Sequence, residues 1–177
     1  MSSGQNYDHS ITPTLESLVS SLLTTALEAL YDFTLVQWIV QMKILLFYAP
    51  SFWFKTYQKV LEHVEDQELE ADCQKAVVVF YHVEADDVER RGKVLTKFLK
   101  NIKWLAGKFD SKNVVLHSFN HLSKSKAPAD FAEELVHDTR DRLERAGYSV
   151  TVTPFGYLNE WKLHVAGESL AKVFKEI

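Results

Sequence analysis

Cysteine is almost missing from this 177-residue chain, and the one thiol, Cys73, has no partner in a CxxC pair. An intrachain disulfide is therefore excluded, a disulfide-stapled secreted scaffold with it, and a reducing compartment is expected. Positive charge is not in excess either: 20 Lys and Arg stand against 24 Asp and Glu, a formal net charge of -4. A generally basic nucleic-acid protein is thereby excluded, so any contact with nucleic acid must use a local patch. No long uninterrupted apolar run exists. The most apolar stretch, 33–50, contains Gln37, Gln41 and Lys43, which argues against a membrane span. Met1 to His9 are polar and lack the positive start of a signal peptide. A cytoplasmic protein is the expectation.

Motif absences narrow the chemistry. There is no GxGxxG, no phosphate loop ending in Gly-Lys-Ser/Thr, no HExxH and no GxSxG, so phosphoryl transfer and a serine-hydrolase elbow are poor fits. His117 and His121 are four apart but straddle a strand end, and no carboxylate or thiol cluster completes a metal site. No metal and no cofactor is expected. Internal repeats and low-complexity tracts are also lacking.

What is present suits one folded domain with an appendage. Apolar residues make up 46% and charged residues 25%, a balance that supports a real core and argues against disorder. The chain divides near Met42. Thr12-Pro13 reads as a helix start, and Leu15, Leu18, Val19, Leu22, Leu23, Ala26, Leu27 and Leu30 follow at helical spacing. That stripe should face a core, a partner helix or a second copy. Residues 1–41 are thus an N-terminal helical extension. The only methionines are Met1 and Met42, and Met42 precedes a strand, so the extension is also readable as lying upstream of the true start.

From Met42 the pattern alternates. Lys43 to Ala49 reads as a buried strand ended by Pro50. Ser51 to Asp72 is aromatic, then acidic, and is expected to form a short helix or loop. Lys75 to Val83 is the strongest strand. A helix should run from Asp86 to Phe109, with Asp86, Asp87 and Glu89 at the positive end of its dipole. Asn113 to Phe119 is the next strand. A helix beginning near Pro128 follows, with Phe131, Leu135, Leu143 and Ala146 inward and Gly147 as its cap. Ser149 to Thr153 and the run around Trp161, Leu163 and Val165 are strands, joined by Pro154-Phe155-Gly156-Tyr157. A last helix from Glu168 or Ser169 to about Lys175 would bury Leu170, Val173 and Phe174. The fold class is α/β, mixed α+β, around a single sheet.

Two loops combine polar groups with aromatics on short connections, where function concentrates. One is Ser118-Phe119-Asn120-His121-Leu122-Ser123, whose His121 is suited to proton transfer near neutral pH. The other is Pro154-Phe155-Gly156-Tyr157, where Gly156 permits a tight turn and close backbone approach. The competing readings are a satisfied structural histidine and a plain turn. Lys93, Lys97, Lys100, Lys103, Lys108, Lys112, Lys124 and Lys126 make 93–126 locally basic. That stripe is readable as a solvated helix face or as a phosphate-binding surface.

In order along the chain, Met42-Lys43-Ile44-Leu45-Leu46, Phe80-Tyr81-His82-Val83-Glu84, Phe119-Asn120-His121-Leu122-Ser123, Arg145-Ala146-Gly147-Tyr148 and Pro154-Phe155-Gly156-Tyr157 resemble the N-terminal editing domain of archaeal-type threonyl-tRNA synthetases. The resemblance covers 42–177. It implies a fold like that of D-aminoacyl-tRNA deacylases, a homodimer, and hydrolysis of the ester joining a wrong amino acid to the 3′ end of tRNA, with Ser-tRNA(Thr) as substrate. A synthetic site that fits threonine excludes the smaller serine poorly, so a second site must edit. By the same resemblance His121 is the pocket histidine. Phe119, Asn120, Phe155, Gly156 and Tyr157 form walls and backbone contacts, and Tyr81 meets the terminal adenosine. The family commonly continues P-F-G-Y with Tyr-Lys, where this chain has Leu158 and Asn159. Lys172 stands in place of an acidic residue, and Tyr48 in place of a histidine. Asn159 is then the residue left to orient a water. A freestanding editing domain acting in trans is the expectation, with residues 1–41 available to a synthetase or a helical partner. The other reading is a non-catalytic module that binds tRNA or an aminoacyl-adenosine.

Overall fold

The computed structural model describes residues 15–34 and 41–177. The chain forms two compact units, Met1–Ile39 and Val40–Ile177. In the first, α1 spans Leu15–Thr34. Leu15, Leu18, Val19, Leu22 and Leu23 of its apolar stripe are exposed. The expected start at Thr12-Pro13 and the side chains of Ala26, Leu27 and Leu30 lie outside the described residues. Among those described, no helix is long and apolar enough to cross a membrane.

The second unit is a mixed α/β domain around one six-stranded sheet. Its strands are β1 (Lys43–Lys59), β2 (Glu70–His82), β3 (Asn113–Ser118), β4 (Ser149–Val152), β5 (Tyr157–His164) and β6 (Lys172–Glu176). The order is β4-β3-β2-β1-β5, with β6 also on β1. β2, β3 and β4 run parallel, joined through α2 (Arg91–Lys108) and α3 (Ala129–Arg145), while β1 is antiparallel to all three of its neighbours. Crossover helices must pack on a sheet face, and here they cover one: Leu95, Phe98, Ile102, Leu105, Leu135 and Leu143 meet Ile44, Leu46, Val77, Val79 and Leu116.

The first strand does not end at Pro50. β1 continues to Lys59 and β2 begins at Glu70, so Ser51 to Asp72 is the closed end of a long hairpin: its aromatic part is strand, and only its acidic middle, 60–69, forms the expected loop. Pro50 is tolerated because the β1–β2 ladder skips it: Ala49 pairs with Ala76 and Ser51 with Gln74. The residue opposite, Lys75, adopts a φ of 49°. A proline lacks only its N–H, so a position outside the ladder accepts it. Here both strands change phase. Ala49 and Phe52, three apart, share a face, and so do Cys73 and Ala76.

That phase change bends the sheet. Phe80 is the partner of Leu45, and Trp161 the partner of Phe54, nine positions further along β1. In a straight strand those positions are about 30 Å apart, yet the two rings lie 5.3 Å apart. The far half of β1 and β5 therefore fold back over the face that carries no helix. This concave face encloses a second core of Phe52, Phe54, Val78, Phe80 and Val115.

Three further expectations change. The last helix is a short 3-10 turn, Ser169–Ala171, followed by β6, which leaves Leu170 and Phe174 exposed and only Val173 packed. Alternation against β1 wins over a helical pattern too short to nucleate by itself. Asp86 and Asp87 stand in a 3-10 turn, Ala85–Asp87, and α2 has no acidic first turn. Buried Asp87 instead accepts the backbone N–H of Met42 (3.2 Å) and Glu84 (2.8 Å), tying the start of β1 to the end of β2. Ala146 is exposed rather than inward. Gly147 has the left-handed φ of 81° expected at a helix end.

Candidate active site

β2 and β3 are parallel neighbours, so the segments leaving their C-terminal ends emerge side by side. The loop 119–127 is held there by backbone bonds, Phe119 N–H to the Tyr81 carbonyl (2.9 Å) and Ala127 N–H to the Val83 carbonyl (2.9 Å). Alternation along the strands then sorts the aromatic rings. Phe80 and His117 point to the concave face and meet at 4.7 Å, edge to face. Tyr81 points the other way, into the helical core, 6.0 Å from Phe98. Burial raises the Tyr81 phenol far above its ordinary value, with the hydroxyl beside Ser118 opposing that shift.

The concave face carries the aromatic half of the site. Phe119 packs on Phe80 at 5.5 Å, and His121 packs on Phe119 at 5.3 Å, at the exposed rim. Trp161 closes on Phe80 from β5. Asn159 lies two residues before Trp161 and so shares its face. Its amide donates to the Tyr157 carbonyl at 3.2 Å. Its buried Oδ1 has no donor. An acceptor held in fixed orientation and left unpaired in a buried place fits a water or an amine. His117 lies deeper among these rings, with Nδ1 3.0 Å from the Thr153 hydroxyl. Burial brings its pKa down from 6.5 to about 4, so this imidazole is neutral at neutral pH.

The remaining residues of the pattern sit elsewhere. Gly156, with a φ of 77°, presses its backbone against the turn between β1 and β2: an added Cβ would lie 3.0 Å from the Leu61 Cβ. Its carbonyl accepts the N–H groups of Val60 (2.8 Å) and Leu61 (3.2 Å). The Tyr157 hydroxyl accepts from Gln67 N–H at 3.0 Å and donates to the Glu65 carbonyl at 3.1 Å. P-F-G-Y therefore pins the acidic turn of the hairpin, with Phe155 half-buried beside it. Asn120 is exposed at the tip of the other loop, and Leu158 is 49% exposed. Lys172 donates to the carbonyls of Ala166 (3.0 Å) and Gly167 (3.4 Å). Tyr48 stacks on Phe109 at 4.2 Å.

A buried polar cluster behind the His121 loop escaped the motif reading. Lys43 donates to Glu84, whose side chain is fully buried. Burial works to raise the Glu84 carboxyl, but the Lys43 bond, the hydroxyls of Ser123 and Ser125, and the Lys43 charge together hold it below its ordinary value. His82 is buried beside it, with Nε2 2.6 Å from the Ser125 carbonyl. The Ala85 N–H donates to the Ser125 hydroxyl at 3.3 Å. The signal in the sequence was a carboxylate directly after an apolar strand. Nothing local said that Lys43 stands opposite His82, because that pairing is a property of the sheet register. Among the described residues no group of three or more His, Cys, Asp or Glu converges as metal ligands do.

Against known proteins, the model of the Archaea-specific editing domain of threonyl-tRNA synthetase matches residues 42–177. The chain belongs to that editing-domain family. The threonine–tRNA ligase of Thermococcus onnurineus is 28% identical over 139 residues, 77% of this chain and 22% of the ligase. That of Pyrococcus horikoshii is 27% identical over 139 residues, with the same shares. The chain thus spans about a fifth of the length of these relatives. Among solved structures, c-Myc DNA unwinding element binding protein aligns over 76% of this chain and 98% of its own, with TM-score 0.52 and 11% identity, a likeness of fold. A probable eukaryotic D-amino acid tRNA deacylase aligns over 77% of the chain with TM-score 0.44 and 10% identity.

Proposed function

We propose that this editing domain hydrolyses the ester of mischarged tRNA, with Ser-tRNA(Thr) as its substrate, acting in trans as a cytoplasmic homodimer. The observation that carries the reading is the unpaired, buried Oδ1 of Asn159 on the same aromatic face that His121 borders. Water bound to Oδ1 adds to the acyl carbon, the bond from that carbon to the 3′ oxygen breaks, and the 3′ oxygen regains a proton. His121 moves that proton at the rim. Backbone N–H groups of the Asn120–His121 turn face the developing oxyanion. Phe119 stacks against the terminal adenine, and Phe155, Gly156 and Tyr157 act at one remove, fixing the hairpin turn and the start of β5 from which Asn159 extends. Tyr81 contributes through its carbonyl, which anchors the loop. The exposed apolar stripe of α1 serves a synthetase or a partner helix.

The test is deacylation of Ser-tRNA(Thr) beside Thr-tRNA(Thr) by the full chain. Selective serine release is expected, reduced about 100-fold or more by His121→Ala and similarly by Asn159→Ala. A second reading, a binding module, is favoured by Leu158 and by Lys172, whose ammonium is taken up by two carbonyls. Folded protein that binds tRNA and releases no amino acid from any mischarged tRNA would select it.

A further inference from the structure

α2 carries six cations, Arg91, Lys93, Lys97, Lys100, Lys103 and Lys108, and no carboxylate, in a chain whose net charge is -4. Lys93, Lys97, Lys100 and Lys108 share one face with Trp104, at helical spacing opposite the buried Leu95, Phe98, Ile102 and Leu105. Arg91 is taken by Asp138 of α3 at 2.6 Å. None of the five lysines is in an ion pair among the described residues. This arrangement works against the helix. Lys93 and Lys97, Lys97 and Lys100, and Lys100 and Lys103 are like charges at repelling spacings, and Lys93 stands at the end where the dipole disfavours cations. A polyanion laid along this face removes the repulsion.

The topology says where that face leads. The short connection from the end of β2 to α2 lies beside the loop that carries His121, since Val83 and Ala85 bond to Ala127 and Ser125. Lys124 and Lys126 lie in that loop. From there the helix runs about 27 Å away from the site. We propose that the exposed face of α2 holds the phosphate backbone of the tRNA acceptor stem while the 3′ end reaches the His121 loop. The proposal rests on the editing reading for its choice of RNA.

Uncharged tRNA and an acceptor-stem minihelix are titrated against the full chain between 50 and 200 mM salt. K93Q/K97Q/K100Q should weaken both at least tenfold at 100 mM salt and flatten the log–log salt slope by about 2 to 3. K55Q/K162Q/K175Q, which removes as many lysines from the strands, should change neither. Release of serine from a 3′-seryl oligonucleotide too short to form a stem should be equal in wild type and K93Q/K97Q/K100Q, while release from the minihelix falls. Unchanged RNA affinity and slope in K93Q/K97Q/K100Q would overturn the proposal. So would binding to phosphatidylserine vesicles in place of RNA. If nothing is hydrolysed yet RNA binding depends on these lysines, the editing reading fails and the surface assignment stands.

Discussion

Replacing His117 should remove a defined piece of the pH dependence of stability. The residue is 4% exposed, its ring set among Phe80, Phe52 and Trp161. Burial there brings the pKa from 6.5 to about 4. Below pH 6.5 the unfolded chain takes up a proton that the folded chain refuses. The stabilisation is therefore complete above 6.5 and lost progressively as pH falls to about 4. At about 1.4 kcal/mol per pH unit the total is about 3 kcal/mol. Urea unfolding of wild type and His117→Gln, from pH 4 to 7.5, reads it directly. The two profiles should run parallel above pH 7 and converge by about 3 kcal/mol on the way to pH 4. Taking the difference cancels Asp87, whose carboxyl is raised by burial and so acts with the opposite sign. Profiles that stay parallel throughout would refute the reasoning.

Glu84→Ala leaves Lys43 without its partner in a place where the lysine side chain is 15% exposed. A loss of about 3 kcal/mol is expected, together with faster amide exchange through 119–127; a loss below about 1 kcal/mol would mean that the cluster does not hold the loop. Because the Glu84 carboxyl is held below its ordinary 4.5, its contribution is present above pH 4.5 and disappears as pH falls through the lower folded value. The wild-type acid limb should therefore be steeper than that of Glu84→Gln. Gly156→Ala forces a side chain into φ 77° and against Leu61; it should cost about 1–3 kcal/mol, read as a lower urea midpoint. Tyr157→Phe should cost about 1 kcal/mol and open the 60–69 turn to limited proteolysis, since one hydroxyl bridges Glu65 and Gln67.

Local pattern sufficed where an element is decided by its own side chains. The β-branched run of Lys75 to Val83 made β2 visible, the apolar spacing from Leu95 to Leu105 made α2 visible, and Gly147 marked the end of α3. The ordered motifs were enough to place the family. Register decided the rest. Pro50 looked like a strand end because proline usually is one, and only the skipped pair opposite Lys75 explains why β1 runs on. The segment after Ala171 had too few residues to choose its own conformation, and the free edge of β1 made it a strand. The site divided in the same way. His121 and Asn159 were legible as residue types, but their common face follows from the curl that brings β5 over β2. Lys43 lies outside any local window that holds His82 and Glu84. The Lys43–Glu84 ion pair, with His82 packed beside it, exists only because antiparallel pairing sets position 43 opposite 82. Periodicity reports which way a side chain points, whereas partners across a sheet are chosen by the whole chain.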